Sequence, residues 1–233
     1  DPFLAQAERV GTVSLPEDNG VIRRFSTERP QQYQNVVSLA EAAAGMDANQ
    51  PNPPGQYDYI NYYGPARTIP TYSYDSVVQS GNSLAPNTFK DKIVFVGLML
   101  KSASGPAQKE SFLSPFQSER IYGTEIHATA AANLLSGDWI KRSNSTTGLV
   151  ATFVSGLVLL FLIFSIRPSR AILFVAVPCG GWAIASYHYF CNGHFLPGAT
   201  LFLVFIPLAF VAHTLYQQFI RDFSLMLYRR SQL

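Results

Sequence analysis

Charge is almost missing from one long stretch of the chain. Residues 148–216 hold only Arg167 and Arg170, and every acidic residue except Asp222 lies before residue 147. Cysteine is scarce too: the only two, Cys179 and Cys191, both fall in the apolar part. On one helix they would lie about 18 Å apart, too far for a disulfide, so a disulfide scaffold is excluded. No G-x-S-x-G elbow, P-loop, H-E-x-x-H or Rossmann fingerprint occurs, so no catalytic residue, metal ligand or cofactor is assigned. The polar part, residues 1–146, carries 12 basic and 14 acidic residues, a net of −2. It has no basic stripe, which argues against nucleic acid as a partner.

What fills the charge-poor region is apolar sequence in three runs. Gly148–Ile166 has 19 uncharged residues, about 28 Å as a helix against a hydrocarbon core of roughly 30 Å. Residues 171–190 form a second run, with Pro178, Gly180 and Gly181 suggesting a kink or close helix contact. Residues 196–216 form a third, with Pro197 near its start and Pro207 inside. The expected architecture is therefore an α/β domain over 1–146, a mixed sheet with helices, followed by a three-helix transmembrane bundle over 147–216. Residues 217–233 would be a cytoplasmic juxtamembrane helix.

Five positive charges (Arg167, Arg170, Arg221, Arg229, Arg230) against two (Lys141, Arg142) place the C-terminus in the cytoplasm and the polar domain outside. The expected site of action is a cytoplasmic membrane, with lipid as one partner. The tail carries an apolar stripe, Phe219, Ile220, Phe223 and Leu227, that needs cover. Phe223 and Leu227 are its interface candidates, for a second copy or another membrane-complex subunit.

Glycine and proline punctuate the polar domain. Strands are expected at Val10–Leu15 and Val21–Phe25 around a turn at Glu17–Gly20, with helices at Val36–Ala44 and Tyr74–Gln79. Tyr57, Tyr59, Tyr62 and Tyr63 lie in a tyrosine-rich strand and are interface candidates, although strand composition alone also explains them. The run "KIVFVGL", Lys92–Leu98, is apolar on both faces and suits a buried central strand. The long loop after it holds Glu110 and Ser114, polar candidates for ligand binding beyond a strand's carboxyl end.

A helix is expected from Thr124, capped by its hydroxyl, to Ser136-Gly137. Ile126, Ala130 and Leu134, at i, i+4 and i+8, form its core face. Glu125 and His127 stand about 200° apart on that helix, so they do not grip one ion together. His127 falls toward the core face.

Taken in order, "GTVSLPEDNGVIRRF", "INYYGPARTIPTYSYDSVV" and "KDKIVFVGLMLKSASGPAQKESFLSPFQSERIYGTEIHATAAANLLSGDWIKR" resemble the CHASE domain of the second type. "FLPGA" ahead of the third run fits the same resemblance. It implies an extracytoplasmic sensory domain of the kind carried by bacterial cyclases and kinases. The family often has aspartate and Thr-Pro where this chain has Glu110 and Ser114-Pro115. The resemblance also implies an upstream half-domain with its own anchor, so Asp1 is not the expected native start. Two functions follow as expectations. The chain is a membrane-anchored input module of a receptor, any catalytic output lying elsewhere, or it is a non-catalytic accessory or scaffold subunit of a membrane complex.

Overall fold

A computed structural model describes residues 6–26, 36–47, 54–55, 58–78, 84–99, 111–116, 120–143, 145–165, 168–196 and 206–230. The chain divides into two units, Asp1–Lys141 and Arg142–Leu233.

The first unit is built on a four-stranded mixed sheet. β1 (Glu17–Asp18) and β2 (Val21–Ile22) form a hairpin across Asn19-Gly20, whose φ values are 53° and 79°. Two left-handed residues in a two-residue loop make the tight turn whose twist suits a hairpin, and "NG" is the sequence that tolerates it. β2 runs parallel to β3 (Ser111–Leu113), with Val21 opposite Leu113. β3 is antiparallel to β4 (Arg120–Tyr122), with Phe112 opposite Ile121. The mixed sheet with helices is thus present, although its strands are shorter than the sequence implied. Residues 10–15 form no strand. They contribute one bridge, Thr12 to Ser38, against which Gly11 lies so close that a Cβ would stand 2.6 Å from the Leu39 Cα.

Helix α1 (Leu39–Ala43) begins at a capping box: Ser38 Oγ accepts from the Glu41 amide, and Glu41 Oε2 accepts from the Ser38 amide at 2.7 Å. Helix α2 (Tyr74–Val78) lies where the sequence placed it. Helix α3 (Gly123–Ser136) leaves β4 without a linker and ends on Gly137 at φ 69°, whose amide bonds to the Asn133 carbonyl at 2.7 Å. Its first flanking residue, Tyr122, makes no side-chain cap. Thr124 is already inside the helix, so the expected threonine cap is corrected.

Ile126 and Ala130 of α3 are buried as expected, joined in the core by Ala131, by Ile22 and Phe25 from β2 onward, by Ile121, by Ala40 and by Ile60. Leu134 is only partly buried. Each fully buried isoleucine contributes about 1.5–3 kcal/mol of transfer free energy.

Lys92–Leu98 is not the central strand. It joins no ladder among the described residues, and Val96 is 79% exposed. Phe95 alone packs against the core, while Gly97 lies so close to Thr124 that a Cβ there would collide with the threonine side chain.

The second unit holds three long helices: α4 (Ser145–Ser165), α5 (Pro168–Cys191) and α6 (Ile206–Arg230), with α4 packed against both others. Among the described residues no helix is long and apolar enough to cross a membrane. The expected transmembrane bundle over 148–166, 171–190 and 196–216 is therefore corrected. In α6 the described apolar part, Ile206 to Tyr216, is about 16 Å long before Gln217, Gln218, Arg221 and Asp222 interrupt it. In α5 Arg170 stands in the first turn and Ser186, Tyr187 and His188 occupy the last turns. In α4 part of the helix lies beyond the described side chains.

Candidate functional site

Beside its apolar face α3 carries a second stripe at the same helical spacing. Glu125, Thr129 and Asn133 recur at i, i+4 and i+8, and all three are buried. Burying amide, hydroxyl and carboxylate together is costly unless each finds a partner. The partners come from a segment far upstream, Asp58–Ile69, which lies along the helix as a strap.

The Asn133 end is densely satisfied. Asn133 Oδ1 accepts from the Asn61 amide at 2.9 Å, and its Nδ2 donates to the Asn61 carbonyl at 3.1 Å and the Tyr63 hydroxyl at 3.0 Å. Tyr63 in turn donates to the Asp138 carboxylate at 3.0 Å, and Asn61 Nδ2 donates to the Asp138 carbonyl at 3.1 Å. Burial raises the Tyr63 phenol above its usual pKa; the Asn133 hydrogen bond lowers it and Asp138 raises it further. Next to this latch Tyr59 and Ile140 exchange two backbone hydrogen bonds, 2.8 and 3.0 Å.

Toward the sheet the strap is stitched to β2 and the residues after it. The Ile60 amide donates to the Arg23 carbonyl at 2.8 Å, and the Tyr62 hydroxyl donates to the Ile22 carbonyl at 3.0 Å. Burial, followed by the nearby Glu125 carboxylate, raises the Tyr62 pKa strongly.

The Glu125 end is looser. Glu125 Oε1 accepts one long hydrogen bond, 3.4 Å, from the Ile69 amide, and Oε2 has no partner among the described residues. Between the two ends the strap turns at Pro65–Thr68, where Arg67 sits at φ 69°, a left-handed conformation that costs a non-glycine residue about 1–2 kcal/mol.

The residues singled out in the sequence disperse. Tyr57 and Glu110 lie outside the described residues. Tyr59 acts through its backbone, Tyr62 faces inward, and Tyr63 keeps its ring partly exposed while its hydroxyl serves the latch. Tyr59, Tyr62 and Tyr63 therefore do not share one described surface. Ser114 follows β3 and is 1% exposed, with a hydroxyl that has no partner among the described residues. The parallel pair is β2–β3, not Lys92–Leu98, so the strand-end argument now points to Ser114, directly after β3. His127 is buried with Glu125, and no cluster that could hold a metal ion occurs among the described residues. On α6, Phe223 and Leu227 are both exposed.

The asparagine latch escaped the sequence reading, although Glu125-Thr129-Asn133 was visible as a polar repeat at helical spacing. The S-x-x-E box at Ser38–Glu41 was equally visible and would have set the start of α1.

The arrangement holds backbone in place; it offers no activated nucleophile and no paired acid and base. Neither the curated proteins nor the solved structures contain a match to this chain. The CHASE2 domain matches residues 2–166, well over half of the length, in keeping with a site built for positioning. The chain belongs to the CHASE2 domain family, whose members are extracellular, non-catalytic sensory domains of signalling receptors.

Proposed function

We propose that this chain is the extracytoplasmic input part of a bacterial signal-transduction receptor. Its α/β unit takes up a ligand or protein outside the cytoplasmic membrane and passes a displacement along the chain toward an output. The observation that carries this reading is the extent of the family match. It begins in the α/β unit and continues to residue 166, so the sensory unit includes the whole of α4, the first long helix. Ser114 serves as a ligand contact in this proposal, since a buried hydroxyl without a partner among the described residues is a group that a ligand or ordered water satisfies. Glu110, four residues earlier in the sequence, is its companion in this proposal.

Partners belong to the same proposal. The exposed apolar face of α6, including Phe223 and Leu227, meets a second copy, another subunit or lipid. That face also supports the alternative reading, an accessory subunit that docks without signalling.

The test is placement. With Cys179 and Cys191 replaced by serine, cysteine at the exposed Ser73 should react with an impermeant thiol reagent in intact spheroplasts. Labelling only after lysis overturns the receptor reading.

A further inference from the structure

The strap Asp58–Ile69 is held unequally at its two ends, and the difference has a direction. Its first half is fixed on both sides. Ile60 and Tyr62 bind β2 and the residues after it, Asn61 and Tyr63 bind Asn133 and Asp138, and Tyr59 is paired in both directions with Ile140. Its far end, Thr68–Ile69 beyond the turn at Arg67, is held to α3 among the described residues by one hydrogen bond of 3.4 Å to a buried carboxylate whose other oxygen has no described partner. A buried carboxylate with an unpaired oxygen is a poor anchor, because its desolvation is not repaid by that single bond.

We propose that Asp58–Ile69 is a transmission strap: lifting its Ile69 end off Glu125 shifts Ile140 through the Asn61–Asn133–Tyr63–Asp138 latch. Ile140 lies at the exit of α3, and the chain runs from it through Lys141 and Arg142 into α4. The loose end is where a ligand or partner acts with little resistance, and the latched part shifts with it, straining the Tyr59–Ile140 pair instead of fraying at Ile69 alone. Packed, hydrogen-bonded segments pass on motion in this way because they shift as units. The strap's purpose rests on the receptor reading above, but its mechanics do not. Failure of the labelling test leaves the strap standing, and failure of the strap leaves the topology standing.

Hydrogen–deuterium exchange resolved to single amides, on the full chain, tests the mechanics. Glu125→Ala removes the acceptor of the Ile69 amide. Exchange should rise at least tenfold at Ile69 and also at Ile140, whose amide is held by Tyr59, while Ala44, which caps the end of α1, is unchanged. A rise at Ile69 alone makes the segment a passive loop and overturns the proposal. An equal rise at Ala44 means general loosening and overturns it as well. Should Glu125→Ala fail to fold, Tyr63→Phe loosens the strap from the latched end. The expected result is then faster exchange at Ile140 and Ile69 together, and a change at Ile140 alone overturns the coupling.

Discussion

Asn133 and Tyr63 are 70 residues apart in the chain, yet the Asn133 amide donates to the Tyr63 hydroxyl at 3.0 Å. Asn133 is fully buried, and its one side chain ties the strap, the end of α3 and Asp138 together. Replacing it removes an acceptor for the Asn61 amide and leaves donors and acceptors unpaired in the interior, each costing about 1–3 kcal/mol.

Asn133→Ala should therefore destabilise the α/β unit by about 2–4 kcal/mol, read as a lower urea midpoint at constant slope. Tyr63→Phe keeps the ring and loses only the hydroxyl, so about 1 kcal/mol is expected. Because both act in one network, the double variant should lose less than the sum of the two. Strict additivity would mean that the latch does not work as a unit.

Much of the α/β unit was legible because its signals are local. The turn at Asn19-Gly20, the glycine that ends α3 and the Ile126–Ala130 face all depend on neighbours within a few residues. The strap was not legible. The polar stripe on α3 is satisfied by residues 56 and 72 positions away, and spacing along one helix does not say what lies opposite. Lys92–Leu98 failed for a related reason. A run apolar on both faces reads alike whether its ladder partners are present or not, and here only Phe95 is covered. The expected transmembrane bundle is overturned because no helix among the described residues is long and apolar enough to cross a membrane.

Helix-end chemistry gives a contrast between two glycines. Gly137 sits at φ 69°, so Gly137→Ala forces a left-handed alanine and should cost about 1–2 kcal/mol in the α/β unit. Gly181 is inside α5 with nothing within 4 Å of an added Cβ, so Gly181→Ala should stabilise that helix by about 0.5–1 kcal/mol. Circular dichroism melts of both variants check the signs. Destabilisation by Gly181→Ala would reveal close packing against another chain at that face.

The tyrosines set an alkaline limit. Folding raises the pKa of both Tyr62 and Tyr63, the first chiefly by burial and then by Glu125, the second chiefly by burial. Their protonated forms are thus favoured in the folded state. The stabilisation is complete below about pH 10, where the unfolded tyrosines remain protonated, and is lost as pH rises further through the folded values. Urea midpoints measured from pH 8 to pH 11 should fall above pH 10. The fall should be shallower in Tyr63→Phe, which has one such group fewer. An unchanged slope would remove Tyr63 from the groups that set this limit.

On α6, Phe219 and Phe223 stack at 6.3 Å between ring centroids, and both rings remain half or more exposed. Tyr216, Phe219, Phe223 and Met226 recur at intervals of three, four and three, the spacing at which two copies of one helix interlock. Such a face is self-complementary when the two helices are parallel, because each residue meets its own counterpart across a two-fold axis. With Cys179 and Cys191 replaced by serine, single cysteines at Phe223 and Leu227 should give disulfide-linked dimers of the chain under mild oxidation in native membranes. Cysteine at Arg221, on the charged side, should give far less. Adducts only to a different polypeptide would assign the face to another subunit and favour the accessory reading. Labelling by a lipid-soluble probe at both positions, with no protein adduct, would assign it to lipid.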